Sequence, residues 1–471
     1  MMKRFLTLMI ALLLVLCAIP MAASAEERPT LTILMAQDTY VEDYETNAFT
    51  KFIEDSMNVN LDFVLLPASD ASDKLAVMIQ SGQELPDIIN YSLDVTTTYR
   101  YAQAGAIIPL NDYYETLGDN VKKVEELVPG IYEYIRCPDG NLYSIPIYTK
   151  GLHDEHKYKI WINKVWLDNL KLEIPTTTEE LYTVLKAFKE QDPNGNGQAD
   201  EIPMMGCAKG WNADALGYLM NMFIYYNGDD NCYLPLNETD GKIDVAYDKP
   251  EYREFLKFAN QLVKENLLSS LSFTQDDSQF SVTKSANPPI AGLVVTGAAG
   301  DLFDPAITDE YAPFEAMKGP QGKQYFTTFA PGAYACSAIT SYCEHPEVAF
   351  AYIHYTYNDD KAYEGQIIKR YGEQGVNWRY ANEDEISMLD DQGYKPFLYV
   401  MENCWGTPTD KLLQGVWLSN VIDPQKLLEV YDGNPRNNEY QYARNYVMNK
   451  EHGVAFDQLP NHLVYTQEET D

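Results

Sequence analysis

The chain is predicted to fold as an α/β protein, on three observations. Its N-terminal part alternates short apolar runs with segments of helical periodicity, its 471 residues leave room for two domains, and no internal repeat or low-complexity tract interrupts it. "TLTILMA" (30–36) has the length and composition of a buried first strand. Phe49, Phe52, Ile53 and Met57 then fall on one helical face. "VNLDFVLL" (59–66) alternates as a second strand, Leu75, Met78 and Ile79 supply a second helical face, and "PDIINY" (86–91) makes a third strand. This β-α-β-α-β order implies a parallel or mixed sheet covered by helices.

With no Ser/Gly linker in the sequence, any two lobes must be joined by short ordered crossings. "DGNLYSIPIYTKG" (139–151), a turn followed by a strand with its own proline, is a candidate crossing. Further on, Thr177 and Glu180 have the spacing of a capping box. Leu181, Val184, Leu185 and Phe188 repeat behind them at helical intervals, and that helix runs into "QDPNGNGQADEIP" (191–203).

The spacing D-x-N-x-N-G matches the first half of an EF-hand loop. Asp192, Asn194 and Asn196 can turn alternate oxygens inward, Gly197 permits the sharp turn, and Gln198 offers its backbone carbonyl. The second half departs, because the twelfth place is Pro203 and the acids sit at Asp200 and Glu201. The chain is expected to leave as a strand, so a calcium-sensing helix pair is not expected. A solvated Asx/Gly turn is the plain alternative. Hard oxygen donors without an accompanying His or Lys suit Ca2+ better than catalysis, and the expected role is structural.

Residues 1–25 have the layout of a secretory signal peptide: Lys3 and Arg4, an apolar core from Phe5 to Leu16, and Ala23-Ser24-Ala25 before Glu26. Cys17 could carry a lipid, but Leu16 is large for the residue before a lipidated cysteine, so cleavage after Ala25 is expected. The protein is therefore read as exported, to the extracellular space or cell envelope. Without residues 1–25 the chain keeps 33 basic and 70 acidic residues, a balance that excludes nucleic acid as a partner. Cys137, Cys207, Cys232, Cys336, Cys343 and Cys404 permit disulfides, yet their wide spacing favours isolated buried thiols.

The sequence resembles the family 1 extracellular solute-binding proteins of ABC-type importers, in the branch that carries oligosaccharides. The resemblance rests on "SGQELPDII", "AGAIIPLNDYYE", "DGNLYSIPIY", "NKVWLDNLKLEIPTTTEELYTVLKAFKEQDPNGNGQADEIP", "HPEVAFAYIHYTYND" and "RYGEQGVNWRY", in family order over nearly all of the chain. It implies a two-lobed periplasmic-binding-protein-like α/β fold with a hinge and an interlobe ligand cleft. One lobe would be 26–145 plus 332–360 and the other 146–331 plus 361–471, the second holding the calcium loop. It also implies structural Ca2+ on Asp192, Asn194, Asn196, Gln198, Asp200 and Glu201, a carbohydrate ligand, a membrane permease as partner, and a monomer. Two departures stand out. Ala298-Ala299 replace a Pro-Trp pair common in maltose-type binders, and the chain ends at "LVYTQEETD" where longer relatives continue, so it is either naturally short or truncated.

Sugar rings pack their C–H faces on aromatic rings, and 36 Tyr with 6 Trp supply many. In open α/β sheets the ligand side is the carboxyl end of the strands. That rule selects Asp38 and Tyr40 after the first strand, Tyr91 after "PDII", Tyr148 at the first crossing and Tyr334 near the second. Trp211 after "CAKG", Trp378 and Arg379 in "GEQGVNWRY", and Trp405 in "NCWGTP" complete the set. Ordinary packing is the competing explanation for each. No nucleophile elbow, HExxH or Gly-rich phosphate loop is present, so an enzyme is not expected. The rivals are a secreted carbohydrate-active hydrolase, which would need a carboxylate pair, and an extracellular ligand sensor of a signalling receptor.

Overall fold

The structure is a computed structural model that describes residues 28–38, 41–116, 124–126, 129–149, 158–226, 233–234, 244–297, 306–327, 334–355, 367–368, 371–401, 421–422, 428–432, 447–449 and 452. Strands β1 (Thr30–Ala36), β2 (Asn60–Leu66) and β3 (Ile88–Leu93) are parallel, with Ile33 opposite both Phe63 and Ile88. Helices α1 (Ala48–Met57), α2 (Ala71–Ser81) and α3 (Val95–Gln103) follow them in turn, and the short α4 (Asn111–Thr116) comes next. Asn47 and Asp94 cap α1 and α3 by accepting the Phe49 and Thr97 amides, which satisfies donors the helix cannot. The full first sheet has six strands, with β2 at one edge, then β1 and β3, and three further strands beyond β3.

In that sheet β4 (Pro146–Thr149) and β11 (Tyr334–Ile339) are antiparallel neighbours, and β14 (Val421–Ile422) adds to β4. Two strands from the ranges expected in the second lobe, β4 and β14, thus hydrogen-bond into the first sheet. The reason is local. β11 pairs with β3 on one side, and its other side would lie open without Ile147 opposite Tyr334.

A second, four-stranded sheet has the order β10-β5-β9-β6, from β5 (Ile160–Asn163), β6 (Ile202–Met205), β9 (Ala291–Val295) and β10 (Tyr311–Pro313). The pairs β7 (Tyr233–Leu234) with β8 (Asp244–Val245), and β12 (Trp378–Tyr380) with β13 (Leu398–Val400), stand apart. Each main sheet has its own apolar core, one centred on Ile33, Ile53 and Ile88, the other on Ile162, Leu185 and Leu293. This is a two-lobed α/β architecture.

The second core is covered by α5 (Lys164–Leu170), α6 (Thr178–Glu190), α7 (Ala215–Met220) and α8 (Pro250–Lys264), while α9 (Asp277–Lys284) packs Phe280 into a separate cluster with Trp161, Met205 and Val294. Thr177 accepts the Glu180 amide at 3.2 Å, but the Glu180 carboxylate turns to the Thr176 amide and hydroxyl instead of closing the box. Phe188 of α6 lies so close to Gly292 that a Cβ there would come within 2.3 Å of its ring, and it meets Trp166 edge-on. That seat fixes the helix which leads into the 192–201 loop.

Among the described residues the chain passes between the sheets after Thr149, again after Thr327, and once more between β14 and Asn449, whose Oδ1 accepts the Ala316 amide in the second lobe. On the second-sheet side the described ends of the first two fasten to Tyr226. Tyr158 stacks on its ring at 5.9 Å, and the Thr327 hydroxyl donates to its carbonyl at 2.6 Å. Asn221 completes the junction, donating to Thr327 Oγ1 and accepting the Tyr226 amide.

Four described cysteines, Cys137, Cys207, Cys336 and Cys343, are free thiols. Among the described residues no helix is long and apolar enough to cross a membrane. One charge sits badly. Lys284 at the end of α9 is 2 % exposed, with its amine 4.8 Å above the Phe280 ring and no salt bridge or hydrogen bond to it among the described residues. Burial pulls its pKa down to about 8, against the opposing pull of Asp277 and Cys207.

Candidate functional site

The parallel strands of the first sheet bring their carboxyl ends to one edge. Asp38 follows β1 there, half-buried, and its amide donates to Tyr44 Oη at 2.7 Å. Tyr91 lies near the same end of β3, half-buried, and Ala335 is opposite Leu93, so β11 starts at this edge. Register also puts Tyr148 and Tyr334 here, on β4 and β11. Topology therefore gathers four of the sequence-selected positions on one edge. Tyr40 lies outside the described residues.

In the second sheet β6 and β9 are parallel, with Met205 opposite Val294. Their carboxyl ends carry the 206–214 loop and the Thr296-Gly297 step. The loop is held firmly: Gly206 donates to Ser272 Oγ, Gln275 Nε2 donates to the Gly206 carbonyl, and Cys207 and Ala213 pair across it. Trp211 leaves this loop and lies over Gly297, where a Cβ would come within 2.4 Å of the ring. It remains 47 % exposed, so the indole packs on backbone while part of it meets solvent. Beside it, Asn212 takes a positive φ of 49°, tolerable for Asn. Asn212 Nδ2 and the buried Thr296 Oγ1 have no hydrogen-bond partner among the described residues.

Gly297 is the partner that sequence reasoning missed; its only signal was a glycine directly after the apolar run "LVVT". Gly297→Val is expected to lift Trp211 from its seat. The tryptophan emission should shift to the red, and a spectrum identical to wild type would refute the contact.

Two selected residues are corrected. Trp378 is fully buried, its indole N–H donates to the Gly372 carbonyl at 2.8 Å, and it packs in a small core with Tyr371 and Leu398. It has no ring face left for a ligand. Arg379 grips both oxygens of Glu385, at 2.9 and 2.6 Å, and lies over the Tyr399 ring. Its guanidinium and the Asn382 amide hold the Glu385 carboxyl down at about 2, so this pair braces the β12–β13 unit. The glycine-rich context suggested a loop, yet Trp378 turns inward, and Arg379, half-buried, is taken up by Glu385. Trp405 lies outside the described residues.

The 192–201 loop curls on its own oxygens. The Asp192 carboxylate accepts the Asn196 and Gly197 amides, Asn194 Oδ1 accepts the Asn196 amide, and Asn196 Oδ1 accepts the Gln198 amide, all at 2.7–3.1 Å. Both asparagine amides turn to Asp200, and Gly195 and Gly197 take the positive φ the curl needs. The chain leaves into β6, without an exiting helix. Glu201 Oε1 is buried with no partner among the described residues, and burial first, then the charges of Asp200 and Asp192, raise that carboxyl's pKa. Among the described residues no group of three or more His, Cys, Asp or Glu meets the geometry of a metal site, so any fit here also draws on asparagine and backbone oxygens.

Residues 41–363 match the family model for bacterial extracellular solute-binding proteins. The chain is similar to the fructooligosaccharide ABC transporter substrate-binding protein FusA of Streptococcus pneumoniae, 34% identical over 64% of this chain and 55% of FusA. The polygalacturonan/rhamnogalacturonan-binding protein YtcQ of Bacillus subtilis is 26% identical over 58% of this chain and 52% of its own. Against these curated relatives the chain spans a little over half their length. Among solved structures, FusA in complex with kestose superposes with a TM-score of 0.74 at 24% identity, covering 93% of this chain and 87% of that one. An EF-hand mutant of FusA gives 0.73 at 24% identity, covering 94% and 87%.

Proposed function

The chain belongs to the bacterial extracellular solute-binding proteins, and from that premise we propose that it captures a carbohydrate, in the form of an oligosaccharide, and delivers it to the membrane permease of an ABC importer. One observation carries this reading: a half-exposed Trp211 seated on Gly297 at the carboxyl end of β9. Such a platform offers a rigid apolar face to a sugar ring and loses little entropy on binding. The first sheet contributes Asp38, Tyr91, Tyr148 and Tyr334 from its own carboxyl edge, and ligand capture closes the two lobes about the crossings. The lobes divide near 145 and 332, with β4 and β14 carried by the first sheet. The protein acts outside the cell after loss of residues 1–25, as a monomer and as a binder without catalysis.

A thermal-shift screen against neutral and acidic oligosaccharides tests this. A saturating ligand, at about 100 times its dissociation constant, adds about 2.7 kcal/mol and several degrees. A shift with the glycan recovered intact supports the reading. A glycan recovered in pieces indicates a hydrolase instead, and no shift with any sugar refutes carbohydrate capture.

The 192–201 loop is proposed to hold a structural Ca2+ through Asp192, Asn194, Asn196, the Gln198 carbonyl, Asp200 and Glu201. The orphaned Glu201 oxygen, close to two further carboxylates, supports the fit, because a hard cation would neutralise that crowding. Asp192→Ala is expected to lower the melting temperature in calcium by several degrees. Calcium at about 10 times its dissociation constant contributes about 1.4 kcal/mol. Wild-type melting that is identical with and without chelator would defeat the assignment.

A further inference from the structure

The chain runs beside β6 a second time. Leu268 bridges Met204 in parallel, and the Ser269 amide donates to the Met204 carbonyl at 2.9 Å. The residues that follow therefore pass the carboxyl end of β6, at the same edge as the 206–214 loop. There they form a short 3-10 turn, Ser270–Phe273. Its centre is tied to that loop: Ser272 is buried, its hydroxyl accepts the Gly206 amide at 3.0 Å, and its carbonyl accepts the Ala208 amide at 2.9 Å. On either side of Ser272 the side chains are apolar and meet solvent, Leu271 being 56 % and Phe273 39 % exposed. Neither joins any apolar core among the described residues.

Single exposed apolar side chains are ordinary on a protein surface. This pair differs in its place, on backbone fastened to the loop that carries the half-exposed Trp211, at the carboxyl edge where α/β sheets bind ligands. We propose that Leu271 and Phe273 form an outer subsite for a further ring of the bound oligosaccharide, which makes the cargo a chain of several sugar rings lying along this edge from Trp211. The inference rests on the carbohydrate reading above. The strands that lead to Gly297 and to the turn lie two spacings apart with β6 between them, about 10 Å. One ring seated on Trp211 does not cover that distance, whereas a chain of rings does. The flat C–H face of a later ring packs on Phe273, with Leu271 widening the apolar contact. Lys209, next to Ala208, and Thr274, next to Phe273, are both exposed and offer hydrogen-bonding groups for sugar hydroxyls.

The test is isothermal titration of wild type, Phe273→Ala and Phe273→Leu with size-graded ladders of a fructan, a glucan and a galacturonan, from disaccharide to hexasaccharide. In the ladder that binds, Phe273→Ala is expected to weaken the longest members roughly 5- to 10-fold and to leave the disaccharide unchanged. Phe273→Leu keeps apolar bulk without a flat face and should recover only part of the loss. Phe273 lies outside the cores, so melting temperatures without sugar should stay at the wild-type value, which separates a lost contact from lost folding. Affinities of Phe273→Ala equal to wild type at every length overturn the subsite. So does a loss of the same size for the disaccharide, because Phe273 would then serve the first ring or the fold. Wild type that binds no ladder refutes the carbohydrate reading itself, and the subsite falls with it.

Discussion

Trp211→Ala is expected to weaken oligosaccharide binding by roughly 30-fold, about 2 kcal/mol, the scale of a central aromatic anchor. The indole is half exposed, and its inner face rests on the Gly297 backbone, so truncation removes a stacking surface without opening the lobe's core. Unliganded stability should therefore change by less than a degree or two. Isothermal titration of wild type and variant with the same sugar measures the effect. An affinity within a factor of two of wild type would show that the ring is not part of the ligand site. Trp211→Phe should recover part of the loss, since a smaller ring still covers Gly297.

Lys284→Met is expected to stabilise the protein at pH 7 by about 1–3 kcal/mol, as a buried unpaired charge gives way to an apolar side chain of similar length. A pKa drawn from 10.5 to about 8 corresponds to about 3 kcal/mol of penalty for the charged amine. Below the folded pKa both folded and unfolded chains hold the proton, and the penalty is complete. Between about 8 and 10.5 the folded amine releases its proton while the unfolded one keeps it, so wild-type stability rises with pH relative to the variant. Urea midpoints at pH 7 and pH 10 measure this. A gap that stays constant would mean the amine is not desolvated as described.

The first three strands were legible because each is an unbroken or alternating apolar run, and β1 spans 30–36 as read. Helix α1 was equally plain from Phe49, Phe52, Ile53 and Met57, although only Phe49 and Ile53 are fully buried. The 192–201 turn was legible because its geometry is local: every hydrogen bond within it spans six residues or fewer. Trp378 was misread because composition near a glycine indicates a loop but says nothing about which way a ring turns. The seat of Trp211 on Gly297 joins residues 86 positions apart, and no local pattern announces it. Lys284 was silent for a similar reason. On the sequence it ends a polar helix, and only the packing of α9 shows that its amine lies indoors.

The junction at Tyr226 has a mechanical consequence. Had the first two passages between the sheets been fastened at separate points, each could slip along its own seat, and the lobes would sample many relative poses. Here one residue holds the first by its ring and the second by its carbonyl. A displacement of either of these two passages therefore pulls on the same residue as the other. Under the proposed capture of a ligand, these two tethers would be aligned once, during folding, and would need no separate alignment at each closure.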